Sequence, residues 1–120
     1  MTTYVLCNGV TAIQSAPSGG NLPTGSQAAN PAGATGQVNV QNQTFQAIVT
    51  TTSGNGSATV QPIVSNDGIN WVNYGSAITI ASAASPAQAS GTGASPWQFF
   101  SAYVTAISGT GAQVKCLMGA

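Results

Sequence analysis

The chain has 120 residues, the length of one domain with a single modest core. Asp67 and Lys115 are its only charged side chains, and glutamate, arginine and histidine do not occur. Soluble domains are about 25% charged, so 2% here removes most of the chemistry that side chains can perform.

Paired-carboxylate hydrolysis needs two acidic groups, and Ser–His–Asp or Cys–His catalysis needs histidine. A zinc site takes four ligands from Cys, His and carboxylates, and only Cys7, Cys116 and Asp67 qualify. One lysine cannot neutralise a phosphate backbone, so no nucleic-acid partner is expected. No apolar run approaches the roughly 18 residues of a spanning helix, so no membrane partner is expected either. Composition-driven disorder combines low hydrophobicity with high net charge, whereas this chain is 42% hydrophobic with zero net charge. The expectation is a folded, non-enzymatic domain without cofactor or metal. Its uncharged polar surface of Thr, Ser, Asn, Gln and Gly favours association, as a homo-oligomer or in a larger assembly.

In chain order, the N-terminal "MTTYVLCNG" has no basic region followed by an apolar core, so no signal peptide is read there. With that reading, Cys7 and Cys116 are expected as two buried free thiols, with a disulfide that closes nearly the whole chain as the alternative. The first strand is predicted at 3–8. Residues 15–36, "SAPSGGNLPTGSQAANPAGATG", are rich in Gly and Pro and too long for an ordinary loop. They read as an extended arm laid across a neighbouring subunit, anchored by Pro17, Leu22, Pro23 and Pro31, with a flexible linker or long loop as the alternative. Further strands are predicted at 36–40, 43–51, 57–65, 69–75, 77–82, 97–107 and 112–118, where Val, Ile, Thr and aromatics cluster between turn residues. Eight short strands point to an all-β sandwich or barrel of one domain, with 36–118 as its body.

Alternation places Phe45, Ala47 and Val49 on one face, and likewise Ala58, Val60 and Val64. Phe100, Ala102, Val104 and Ala106 form a second inward row with Val114, Cys116 and Met118. Pro62 marks its strand as an edge or a bulge. A small phrase recurs as "SGNGS" (53–57) and "SGTGA" (90–94 and 108–112). The first and third read as hairpin turns, because a strand rather than a helix follows each. Residues 81–96 read as a second long loop.

"SNDG" (65–68) is predicted as a turn at Asn66 and Asp67 with Gly68 in the left-handed region. It is similar to the Asp-box, Ser-x-Asp-x-Gly-x-x-Trp, but lacks one residue between Asp67 and Gly68. Asp67 is therefore read as a turn former, with weak calcium or sugar contact as the alternative. Trp71, Tyr74 and Trp97 are candidates for core packing or for aromatic anchors in an interface. Three positions separate Trp71 from Tyr74 along a strand, so only one can face the core.

From Phe45 onward, "TFQAIVTTTSGNGSATVQPIVSNDGINWVNYG" followed by "SPWQFFSAYVTAISGTGAQVKCLMG" resembles small virion structural proteins of tailed bacteriophages, the capsid decoration or cement type. That resemblance implies a jelly-roll-like antiparallel β-sandwich, made in the host cytoplasm and placed on the capsid surface. It also implies a dimer or trimer that bridges neighbouring copies of the major capsid protein. The alternative is a tail or head-fibre adhesin that binds host glycan through Trp71, Trp97, Tyr74 or Tyr103.

Overall fold

The computed structural model describes residues 2–31 and 41–120. These residues contain eight strands and no helix: β1 (Thr3–Val10), β2 (Gln43–Thr50), β3 (Ser53–Ser65), β4 (Val72–Asn73), β5 (Ile78–Ala84), β6 (Ala87–Gly93), β7 (Phe99–Thr110) and β8 (Gln113–Gly119). The predicted strand at 36–40 and the last part of the 15–36 segment lie outside the described residues.

The strands form two antiparallel sheets. The first has the order β1-β8-β2-β6. In the second, β3 pairs with β7 along one edge. Its other edge pairs first with β5 and then with β4. One apolar cluster lies between the sheets. Phe45, Ala47, Val49, Val114, Cys116 and Met118 come from the first sheet, and Val60, Val64, Ile80, Phe100, Ala102 and Val104 from the second. The period-2 pattern of β2 and β8 follows directly, since each buries one face and wets the other.

Several expectations change. Residues 81–96 are not a long loop: they hold the end of β5 and all of β6, which pairs in unbroken register with β2 from Gln43↔Gly93 to Val49↔Ala87. The strand predicted at 69–75 shrinks to Val72–Asn73, because the turn that begins at Asn66 continues through Asn70. Ala106 is exposed, not inward. The β3–β7 register shifts between Thr59↔Ala106 and Val60↔Val104, so Thr105 is an extra residue and side chains beyond it swap faces. Ile107, not Ala106, then packs on the core.

Pro62 lies in a central strand rather than an edge. β5 pairing ends at Val60 and β4 pairing begins at Ile63, so the proline falls at the seam where no ladder bond is lost. Its carbonyl accepts the Tyr74 N–H at 2.9 Å.

The first and third glycine phrases are not hairpins, since β2 and β3 belong to different sheets, as do β7 and β8. Both mark places where the chain crosses between sheets, and the crossings touch. Thr52 N–H donates to the Thr110 carbonyl at 2.9 Å. Gly111 has φ +61°, and a Cβ there would stand 2.7 Å from Thr52 Oγ1. The second phrase lies inside β6, where Gly91 faces Ile78 and Gly93 faces Tyr74.

Residues 25–29 join the edges of the two sheets. On the β1 side, Asn8 N–H donates to the Gly25 carbonyl and Gln27 N–H to the Leu6 carbonyl, both at 2.9 Å. On the β7 side, Ala29 and Phe100 exchange two backbone bonds, and the Ser26 hydroxyl donates to the Ala102 carbonyl at 2.6 Å. The described part of the predicted arm is thus bonded to its own chain. Gln14 adds to this: its backbone N–H donates to the Val104 carbonyl, and its Oε1 accepts the Val104 N–H, both at 2.8 Å.

Candidate interaction surfaces

Asp67 is fully engaged by its own turn. Ser65 Oγ accepts the N–H groups of Asp67 and Gly68 and donates to Asp67 Oδ1 at 2.8 Å. The same Oδ1 accepts the N–H groups of Ile69 and Asn70 at 2.8 Å, and Oδ2 accepts Asn70 Nδ2 at 2.9 Å. Gly68 has φ +74°, which allows the chain to turn, and it packs under the Phe99 ring. The backbone N–H groups of Asn70 and Ile69, then the side chains of Asn70 and Ser65, hold the carboxyl well below the usual carboxylate range. These bonds organise residues 65–70, as a turn former would, while Asp67 itself stays exposed.

The aromatic candidates separate. Of Trp71 and Tyr74, it is Tyr74 that packs on the core: its ring meets those of Phe45 and Phe100 in T-shaped contacts, at centroid distances of 6.1 and 6.0 Å. Its hydroxyl donates to Gln43 Oε1 at 2.6 Å and accepts the Ser95 N–H at 2.8 Å. Gln43 Nε2 in turn donates to the Ser95 carbonyl at 3.0 Å. Tyr74 is half-buried, with its ring against Phe45 and Phe100 and its hydroxyl bonded to Gln43 and Ser95.

Trp97 is half-buried against the core. Trp71 is half-buried too, and its Nε1–H is shut off from solvent with no acceptor among the described residues. Beside it, Ile69 and Val72 are 58% and 52% exposed. Tyr103 is half-buried on β7. Pro31 is buried, and Pro17, Leu22 and Pro23 are half-buried along the segment that binds back to β1 and β7. The turn and the Trp97 region meet: Asn66 Oδ1 accepts the Gln98 N–H at 3.1 Å, and Gln98 Nε2 donates to Asn30 Oδ1 at 2.8 Å.

The outer faces of the two sheets differ. In the second sheet, Gln61, Ile63 and Ser101 point away from the core yet are buried. The chain's own N-terminal segment runs over that side: Ser101 Oγ donates to the Gln27 carbonyl at 2.8 Å, and Gly20 lies against Ile69. Among the described residues, nothing is laid over the outer face of the first sheet, where Thr44, Gln46, Gln88, Ser90 and Lys115 are exposed. Cross-strand rows there read Leu117–Gln46–Ser90 and Lys115–Ile48–Gln88, with Thr44 opposite Thr92 in the next row. Rows of this kind repeat at about 4.8 Å between strands and about 6.8 Å along them. Gln46 Nε2 donates to Gln88 Oε1 at 2.8 Å, fixing part of the lattice. Its sole charge is the Lys115 ammonium.

Sequence reasoning missed Gln14, Ser26 and Gln43, which tie distant strands together. Nothing in their local pattern distinguishes them from the other polar residues; only the tertiary register does. Among the described residues no group of three or more His, Cys, Asp or Glu side chains is placed to hold a metal ion. A hollow of about 500 Å³ between residues 8–14 and 23–25 is lined without any titratable side chain. Set against known proteins, the chain matches no family model, no curated protein and no solved structure.

Proposed function

We propose that this chain is a virion structural protein of a tailed phage, a decoration protein that clamps neighbouring copies of the major capsid protein, and that its fold is a jelly roll. Jelly rolls recur in viral capsid and lectin domains and hold two four-stranded sheets. The strand order is compatible with one if residues 26–29, beside β7, take the fourth place next to β7, β3 and β5.

The observation that carries the functional reading is the outer face of the first sheet. It is an array of Thr, Gln and Ser around Ile48 and Leu117, on the side that no other described segment covers. Such a surface binds through shape fit and many small contacts rather than charge steering. Arrayed on a repeating shell, modest contacts add through multivalency. Dimers or trimers at symmetry positions would raise that effect further.

The test is binding to purified shells with a paired charge insertion, Thr44→Glu with Gln46→Glu. Both sites are exposed, so the fold should survive, as circular dichroism and Tm would show. The expected result is that the original chain stays bound in about 1 M NaCl, where the Debye length is near 3 Å, while the double variant is lost from the shell. Release of the original chain by mild salt, or unchanged binding by the variant, refutes the surface assignment. A copy number in purified virions far below that of the shell lattice refutes the decoration role.

A further inference from the structure

We propose that Cys7 and Cys116 form an oxidative cross-linking site, at which a disulfide would fasten the first strand to the last. The two residues are direct partners in the β1–β8 register and both are completely buried on the core side. They are free thiols in this structure. Directly opposed residues in antiparallel strands have Cα atoms about 4.5–5.5 Å apart, inside the 4.4–6.8 Å range that disulfides span. The ladder is irregular on both sides of Cys7, with register shifts before and after it. β1 therefore has local slack to bring the two sulfurs together, where a regular ladder would resist. A backbone hydrogen bond from Cys116 reaches the Cys7 sulfur, so that sulfur already lies beside its partner residue.

The chemistry is a two-electron exchange with a small-molecule disulfide such as oxidised glutathione. The Cys7 thiolate attacks one glutathione sulfur, the glutathione S–S bond breaks, and one glutathione thiolate leaves. The Cys116 thiolate then attacks Cys7 in the mixed disulfide and releases the second. One S–S bond forms as another breaks, and the two thiol protons end on the two glutathiones. Burial pushes the Cys7 thiol up to about 11 and the Cys116 thiol higher still, so little thiolate is present at neutral pH. The reagent reaches the pair only when β1 opens away from β8, which breaks the ladder between them. Cross-linking is accordingly slow in a reducing compartment and in the closed fold. Once made, the bond is equally hard to reach and reduce. The ring it closes takes in most of the chain, the case in which a cross-link restricts the unfolded state most.

This inference stands apart from the shell-binding proposal. The full chain would be incubated with oxidised glutathione in mild urea, below the unfolding midpoint, and then returned to buffer. Three results are expected: a monomer lighter by two hydrogens, a Cys7–Cys116 peptide in the digest, and a Tm raised by roughly 10–20 °C that falls back on reduction. Cys116→Ser, and Cys7→Ser as a second variant should the first fold poorly, should give only the glutathione adduct and no such Tm shift. Glutathione adducts or intermolecular dimers in place of the internal link overturn the proposal. So does a link that forms only from the fully unfolded chain, and so does an internal link that leaves Tm unchanged or lowers it.

Discussion

Replacing Tyr74 by phenylalanine tests the arrangement that joins the two sheets. The substitution keeps the ring against Phe45 and Phe100 and removes one oxygen. That oxygen donates to Gln43, which is 2% exposed, and accepts the Ser95 N–H. Each bond contributes about 0.5–1.5 kcal/mol net, and partial burial of the stranded partners adds to the loss, so the expected cost is about 2–3 kcal/mol. For a domain of this size that lowers Tm by roughly 8–12 °C. Urea unfolding followed by tryptophan fluorescence should show a lower midpoint with an unchanged m value, because the surface exposed on unfolding stays the same. A cycle with Gln43→Met, which keeps the volume, should give a coupling of at least about 0.5 kcal/mol. A loss below about 0.5 kcal/mol with additive single effects would refute the hydroxyl's role as the link between β2, β4 and the β6–β7 connection.

Two further predictions follow from the same geometry. Gly93→Ala places a methyl group inside the space of the Tyr74 ring, so it should cost about 1–3 kcal/mol or more by overpacking, and should cost less in a Tyr74→Ala background; equal costs in the two backgrounds would show that the ring does not occupy this place. Asp67 has a folded pKa below its unfolded value of about 3.9, so its contribution is complete above that pH and is lost as pH falls toward the folded value. With no histidine and no other side-chain carboxylate, Tm should be flat from about pH 5 to 7 and fall below about pH 4, and Asp67→Asn should flatten that acid limb.

Strands that bury one face while wetting the other were legible in the sequence, as in β2 and β8, where apolar residues recur at 45, 47 and 49 and at 114, 116 and 118. β6 was not, because "AQASGTG" has no large apolar side chain. Its pairing is set by β2, and its inward positions are small because Ile78 and Tyr74 fill the space above them. Glycines at alternate positions, 91 and 93, were the available signal: a period of two in smallness rather than in hydrophobicity. The glycine phrases at the crossings carried turn chemistry without saying whether the next strand pairs with the previous one or leaves the sheet. Local propensity likewise could not foresee the extra residue at Thr105, which turned Ala106 outward. Of the interaction surfaces, the Asp67 turn was visible in its own residues. The lattice on the first sheet was not, since it exists only when β8, β2 and β6 lie side by side.

The pairing of β1 with β8 has a consequence for how the molecule is made. Tyr4 lies opposite Met118, and β8 is also the strand that separates β1 from β2. During synthesis β1 can bond residues 25–27 early on one edge, but its other edge waits until residues 113–119 have emerged. Closing so long a loop before the β1–β8 contacts reward it makes assembly slow. For that interval the exposed edges of β1 and β2 must be kept from other nascent chains, and losing a few residues from the C-terminal strand should leave a chain that never completes its first sheet.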